Sequence, residues 1–286
     1  MQHRLPAFSF ESEYYDHVAR GYDLISATYD LIETTNVVGR RARRHIQAAL
    51  FRTFHAGDLV LEIGCGTGLE ATALAARGVR VVATDLSERM VERIRGLSRQ
   101  HGLGRIVARR MAAYEIGSLA DEYGEASFDG AYSHGGVLNM DPRIREVADG
   151  LARLLRPGAR FLCTVVNHAS LFETVFYPLV LRPRKAFRRL GHTVPIPITR
   201  HEAHREYVVP TTFYSPRAFE RVFEGHFVRK RLEGLQILLP PWNLADELEK
   251  IGGIGLAVER IEDTIAVKPP FNEWGSLFIM ELERTP

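Results

Sequence analysis

Cysteine is nearly missing: Cys65 and Cys163 are the only two in 286 residues. They stand far apart, without metal-ligand spacing, and both lie in apolar runs where a thiol packs as a small hydrophobe. Nothing therefore calls for a disulfide framework or an oxidising compartment. Charge of one sign is missing too. Lys and Arg total 37 against 35 Asp and Glu, a net +2, which provides no global field for nucleic acid or a membrane surface. No apolar run approaches the roughly 20 residues of a membrane span. The first ten residues contain Pro6 and no long apolar stretch, so they do not read as a secretory signal. The expectation is a cytoplasmic chain with neither nucleic acid nor membrane as partner; nothing in the pattern sets an oligomeric state. Low-complexity tracts are absent as well.

What the chain does have is alternation. From Leu59 onward, apolar runs of strand length trade places with segments of helical period, the mark of βαβ units on a parallel sheet. The predicted strands are Leu59 to Ile63, Val79 to Thr84, Arg105 to Ala112 (weakened by Arg109 and Arg110), Phe128 to Ser133 and Ala159 to Val166. Between them run helices from Leu69 to Arg77, stopped by Gly78, and after the cap Ser87, with Met90, Val91, Ile94 and Leu97 on one side. Another opens at Asp141-Pro142 and ends at Pro157-Gly158.

The rhythm breaks between Asn167 and Thr211, where prolines cluster around an apolar helix-like piece (Leu171 to Leu181) and a basic segment. It resumes at the cap Ser215-Pro216, with a helix through Phe223 and a strand over Phe227 to Leu232. A helix over Trp242 to Ile251 and a closing strand over Leu277 to Leu282 complete the chain. The fold class expected is α/β, doubly wound. The expected organisation is a helical segment 1–45, a core 46–166, an insertion 167–211 and the rest of the core over 212–286.

The most informative segment is Val60-Leu61-Glu62-Ile63-Gly64-Cys65-Gly66-Thr67-Gly68. A buried strand enters three glycines at alternate positions and then a helix. Glycine allows positive φ and close approach of backbone to a ligand, and the helix that follows offers free N–H groups. A dinucleotide turn has the spacing Gly-x-Gly-x-x-Gly. Starting from Gly64 and Gly66, its third glycine falls at position 69, which is Leu69, while the glycine present is Gly68. The dinucleotide pattern fails. At the end of the second strand stands Asp85, a carboxylate placed to accept hydrogen bonds from two ribose hydroxyls.

This pattern resembles the first motif of the class I S-adenosylmethionine (SAM)-dependent methyltransferases, beginning at Glu62. The segments Ser127 to Ser133 and Leu154 to Arg160 resemble that family's fourth-strand motif and the turn before its fifth strand. The closing strand resembles its antiparallel hairpin strand. More narrowly, Ser133 to Asn139 and Pro240-Pro241 resemble a bacterial branch that acts on small molecules. The resemblance implies a mostly parallel seven-stranded sheet with an antiparallel last strand, SAM as cofactor and a small-molecule acceptor methylated on oxygen or nitrogen. It also implies that Gly64, Gly66 and Gly68 approach the methionine part of SAM with Glu62 nearby, that Asp85 holds the ribose, and that Leu86 and Met90 flank the adenine. Many relatives place an acid after the third strand. Here Arg110 to Tyr114 has none before Glu115, and a backbone contact near Ala112 takes that place.

Ligands of open α/β sheets lie beyond the carboxyl ends of the strands, which singles out Ser133 for the cofactor and Asn139, Asn167 and His168 for the substrate. His134, after a strand and before two glycines, is the candidate base. The bland alternative for it is a turn residue against the cofactor backbone. Tyr15-Asp16, Tyr22-Asp23 and Tyr29-Asp30 recur every seven residues, about two helical turns, so their rings share a face. Either they form a lid over the cofactor, with Tyr22 and Tyr29 beside the sulfonium, or they pack an ordinary amphipathic helix. In the insertion, Arg182, Arg184, Lys185, Arg188, Arg189, Arg200 and Arg205 accompany His192, His201 and His204. They read as an anionic pocket or, as charge runs usually do, as a solvated face. His201 and His204 lack a third ligand, so no metal is expected. Two rival functions stand beside methyl transfer: a nicotinamide-dependent oxidoreductase, and a non-catalytic SAM-binding or interaction module on the same fold.

Overall fold

The computed structural model describes residues 8, 10–186, 189, 193–198, 207–241, 244 and 253–286. Three helices lead: α1 (Glu11–Ile25), α2 (Tyr29–Thr35) and α3 (Val37–Thr53). Asn36 caps α3, its side chain accepting from the Gly39 N–H at 2.8 Å. The alternating units follow as β1 (Leu59–Ile63), α4 (Leu69–Ala75), β2 (Arg80–Asp85), α5 (Glu88–Gln100), β3 (Ile106–Arg110), α6 (Ala120–Tyr123), β4 (Phe128–Ser133), α7 (Ile144–Leu154) and β5 (Leu155–Val166). The insertion contributes α8 (Leu171–Leu179), α9 (Pro183–Ala186) and an antiparallel pair, β6 (Thr193–Pro197) with β7 (Val208–Thr212). The remainder is α10 (Pro216–Glu220), β8 (Phe227–Leu235), α11 (Gly253–Ile265) and β9 (Leu277–Arg284).

The seven-stranded sheet has the order β3-β2-β1-β4-β5-β9-β8. Strands β1 to β5 pair in parallel, and β9 runs antiparallel to both neighbours, β5 and β8. This is the doubly wound α/β fold expected, with its antiparallel last strand. Successive side chains of a strand point to opposite faces, and β1 shows the result: Val60 joins one core with Ile46, Leu50, Leu74 and Ile94, while Leu61 and Ile63 join the other with Phe128, Leu151 and Phe161. The strand order reverses at β1, between β2 and β4, so a cleft opens at the carboxyl ends there.

Some boundaries differ from the expectation for physical reasons. Asp141-Pro142 does not cap α7; the Asp141 carboxylate accepts from the Arg143 N–H at 2.8 Å, closing a turn before the helix begins at Ile144. Pro157-Gly158 does not end that helix either. Leu155 is already extended and pairs with Phe128, so the proline and glycine lie within β5. Arg109 and Arg110 are tolerated because β3 is an edge strand, where exposed charge deters further pairing. The pair β6–β7 and the helix α11 escaped the pattern. Prolines at 195, 197 and 210 masked the former as loop. The helix expected over Trp242 to Ile251 lies outside the described residues apart from Leu244, as do Arg188, His192, Arg200, His201, His204 and Arg205. Among the described residues no helix is long and apolar enough to cross a membrane.

The basic insertion acquires one unexpected member. Arg189 is neither on a solvated face nor in an open pocket: it is buried, grips both oxygens of the fully buried Glu173 at 2.7 and 3.1 Å, and donates to the Asn167 and Ser276 carbonyls. Glu173 lies on α8, so the pair ties the insertion to the ends of β5 and β9.

Candidate active site

The turn between β1 and α4 is shaped by its glycines. Gly64, Gly66 and Gly68 all have positive φ, at +73°, +52° and +87°, a region costly for residues with a Cβ. A Cβ on Gly64 would stand 2.3 Å from Val137, and one on Gly68 2.4 Å from Ile94. These two glycines allow close packing below the turn. Gly66 differs: a Cβ there would meet only the Tyr29 ring, at 3.7 Å. Its peptide faces the cleft, and its N–H donates to Asp85 Oδ2 at 2.8 Å. The Ser87 N–H donates to Asp85 Oδ1 at 2.9 Å. Burial pushes the Asp85 carboxyl up to about 6, against the pull of these two N–H groups and with some help from the Asp23 charge.

Over this turn lies a cavity of about 720 Å³, counted to its open mouth. Asp85, Leu86, Met90 and Ala112 form one end of its wall, Gly64, Gly66 and His134 the middle, and Tyr14, Tyr15, Met140 and Asp141 the other side. A smaller recess of about 370 Å³ adjoins it at Tyr29, Gly64, Gly66, His134 and Gly135, and is floored by Glu62, Glu70 and Arg43. Buried Glu62 has an oxygen, Oε2, with no hydrogen-bond partner among the described residues. Burial and then the nearby Glu70 charge hold its carboxyl well above the usual range. An orphaned buried acceptor marks a place where a donor belongs. A cation in the recess meets that need, and Asp85 offers its remaining lone pairs some way along the same cleft. Glu62, Asp85, Leu86, Met90 and Ala112 are the residues that could hold an amino-acid nucleoside, with an acceptor for a cation at one end and an apolar wall at the other.

His134 follows β4 and lies in the wall of both spaces. Its Nδ1 is 3.0 Å from Thr164 Oγ1, which also accepts from the Gly135 N–H at 2.8 Å. Burial lowers its pKa from 6.5. Tyr22 and Tyr29 line the cavity from α1 and α2, and the aspartates after them hold those helices down. Asp23 Oδ1 accepts from the Ser87 hydroxyl at 2.5 Å and the Arg89 N–H at 3.1 Å. Asp30 accepts from the Thr67 hydroxyl and pairs with Arg93 at 2.9 Å. Among the described residues, Asp16, the third member of the repeat, pairs only with the exposed Arg20, at 4.0 Å.

The structure does not bring every candidate to the wall. Ser133 is buried and donates to the Ile63 carbonyl at 2.9 Å. The Asn139 amide donates to the Val166 and Thr212 carbonyls and accepts from the Val166 N–H; the Asn167 amide donates to the Glu273 and Gly275 carbonyls. Both asparagines fasten β5 to its surroundings. His168 lies beside Asn167 Oδ1 at 3.4 Å, away from the cavity lining. Conversely, sequence reading passed over Tyr14 and Asp141 and ranked Tyr15 behind its repeats. Tyr15 donates to Asp141 Oδ1 at 2.8 Å; burial, with the Asp141 charge next, raises both tyrosines far above their usual range. The repeat itself pointed to Tyr15, whereas Asp141 read as a helix cap.

The sheet order, the glycine turn and the carboxylate after β2 are similar to those expected of the class I SAM-dependent methyltransferases. Residues 60–158 match the family model described as methyltransferase domain. The chain is 34% identical over 130 residues to an O-methyltransferase of Aspergillus sclerotiorum, resE, covering 45% of this chain and 46% of that protein. It is also 34% identical over 113 residues to a ubiquinone biosynthesis O-methyltransferase of Xylella fastidiosa, covering 39% and 43%. The chain thus spans a little under half the length of the curated relatives it matches. Among solved structures, the 1,6-didemethyltoxoflavin-N1-methyltransferase of Burkholderia thailandensis superposes with a TM-score of 0.58 at 18% identity, covering 99% of this chain and 94% of that one. The [4+2]-cyclase SpnF does so with a TM-score of 0.60 at 15% identity, covering 94% and 95%. These likenesses are of fold.

Proposed function

We propose that this chain transfers a methyl group from SAM to an oxygen of a small acceptor, with His134 as the base. The observation that carries the reading is the single cleft. It runs from the orphaned Glu62 oxygen past the Gly66–Asp85 contact to His134 and ends among Tyr14, Tyr15 and Asp141. SAM, when bound, supplies a methyl group on a positively charged sulfonium. The chain's own task is alignment, which can lower a barrier substantially once reacting atoms approach to about 3–3.5 Å. Glu62 accepts from the ammonium, Asp85 accepts from the ribose hydroxyls, and Tyr22 and Tyr29 cover the cleft and exclude water.

An oxygen acceptor carries a proton that must leave, and His134 takes it. In the tautomer that donates Nδ1–H to Thr164, Nε2 is the proton-accepting nitrogen, and burial favours the neutral ring. The acceptor sits against Tyr14, Tyr15 and Met140, an aromatic and apolar wall suited to a flat or apolar molecule. The curated relatives named as O-methyltransferases support oxygen over nitrogen.

The test is turnover with radiolabelled SAM against a panel of phenols and catechols. Label in an ether product, lost in His134→Gln while SAM still binds, is the expected result. Because the same fold serves a [4+2]-cyclase, fold alone does not decide the chemistry. SAM binding without label transfer to any acceptor would reassign the chain to a non-methylating role. Binding of NADH in place of SAM would restore the oxidoreductase reading, against which Leu69 stands where a third glycine is needed.

A further inference from the structure

We infer that α8 and the turn after it form a docking surface for an anionic lipid membrane. In α8, Phe172, Val175, Phe176 and Leu179 recur at the spacing of one helical face. The opposite positions, Glu173 and Tyr177, are the buried ones. The outer part of the apolar face is uncovered: Val175 is 53% exposed and Leu179 76%, while Phe172 and Phe176, half-buried, stack with ring centroids 5.2 Å apart. Leu181 extends the stripe beyond the helix at 89% exposure and φ +57°. Glycine or asparagine would take that conformation at less cost, and at that exposure packing against the described residues gains little from leucine.

Charge selects the occupant. Arg182, Arg184 and Lys185 follow at once, all exposed, and none is ion-paired with a described residue. The only acid between Leu171 and Ala186 is Glu173, buried against Arg189. An apolar stripe ending in uncompensated cations is what inserts at a headgroup boundary over anionic lipid. A two-fold contact with a second copy would bring like charges together. The nine residues of α8 rise only about 13 Å, so the helix lies in the interface and does not span it. This departs from the expectation drawn from net charge, because +2 describes the whole chain while these cations are clustered. The helix follows the carboxyl end of β5, the end of the sheet where the cleft opens.

The experiment is co-sedimentation of the full chain with vesicles of phosphatidylcholine alone and of phosphatidylcholine mixed with phosphatidylglycerol. The protein is expected to bind the mixed vesicles, to release in high salt, and to bind phosphatidylcholine weakly. Arg182→Ala and Arg184→Ala should each weaken binding roughly fivefold, and Leu179→Asp with Leu181→Asp should abolish it. All four side chains are exposed, so melting temperature and SAM affinity should hold in every variant. Absence of binding to either vesicle overturns the proposal, as does binding that survives both sets of substitutions. A dimer that the leucine variant dissolves, without vesicle binding, assigns the surface to a second copy and equally overturns it.

Discussion

Asp85 spends one oxygen on the Gly66 N–H and the other on the Ser87 N–H, yet burial still lifts its carboxyl to about 6. Ribose hydroxyls stabilise only the charged form, so SAM binding pulls this pKa down and releases a proton. On the proposed reading the Asp85 share of the affinity should therefore hold above pH 6 and fall below it, approaching tenfold per unit, while Glu62, whose carboxyl is also raised, adds its own dependence as it ionises against the ammonium. Calorimetry in buffers of different ionisation enthalpy checks both the release and the slope. In Asp85→Asn the part of the slope centred near pH 6 should be lost, that of Glu62 should remain, and affinity should drop by about ten- to a hundredfold, the worth of a hydrogen bond to a charged group. His134 shifts the opposite way, below 6.5, so its basic form persists at neutral pH and is lost only as pH falls through that lowered value. A kcat profile should show this acid limb in the wild type and lose it in His134→Gln, with kcat down by roughly a hundredfold or more and SAM affinity kept. Gly64→Ala separates two costs. The left-handed backbone costs about 1–2 kcal/mol, and the 2.3 Å approach to Val137 adds a clash. Val137→Ala in the same chain should recover only part of the second share of the melting temperature, because the Cβ it keeps lies 2.9 Å from the added one, and none of the first.

At the scale of elements, α1 and α2 are held over the cleft by aspartates while their tyrosines face into it. Asp23 grips the start of α5, and Asp30 grips the glycine turn and Arg93. Removing both charges, Asp23→Asn with Asp30→Asn, should raise the opening equilibrium of residues 11–35 by about tenfold for each aspartate. Hydrogen exchange of those amides, with and without SAM, measures it; exchange at the wild-type rate would mean that the clamps hold nothing. The seven-residue repeat made the tyrosine face legible, because helical periodicity is a local property. What the aspartates touch was not legible, since Asp30 reaches Arg93 across the fold. The same distance hid Asp141, which meets Tyr15 across 126 positions. Asn139 and Asn167 show the converse. Their place after strands suggested a ligand, but neighbouring backbone groups, themselves needing partners, take up their amides.

For the whole molecule, the sheet was readable from alternation alone over β1 to β5, most clearly in β1, β2 and β4, which are buried and correspondingly apolar. Beyond Val166 the pattern faded. Prolines disguised β6 and β7, and α11 owes part of its place to a contact no periodicity encodes: Glu262 accepts four successive backbone N–H groups, from Gln236 to Leu239. The Arg189–Glu173 pair joins the insertion to the sheet in the same hidden way. Arg189→Met should destabilise the protein, since the buried Glu173 carboxylate loses the guanidinium that grips both its oxygens, and Glu173→Gln in the same chain should recover part of that. Thermal melts of the single and double variants read the coupling.

The account as a whole depends on the β1–α4 turn and Asp85 accepting a sulfonium nucleoside, and titration of the full chain with SAM in a calorimeter, repeated with NADH, measures that directly. Saturable binding of SAM at one site, weakened in Asp85→Asn, with no heat from NADH, is the predicted result. Silence with SAM and saturation with NADH would contradict it.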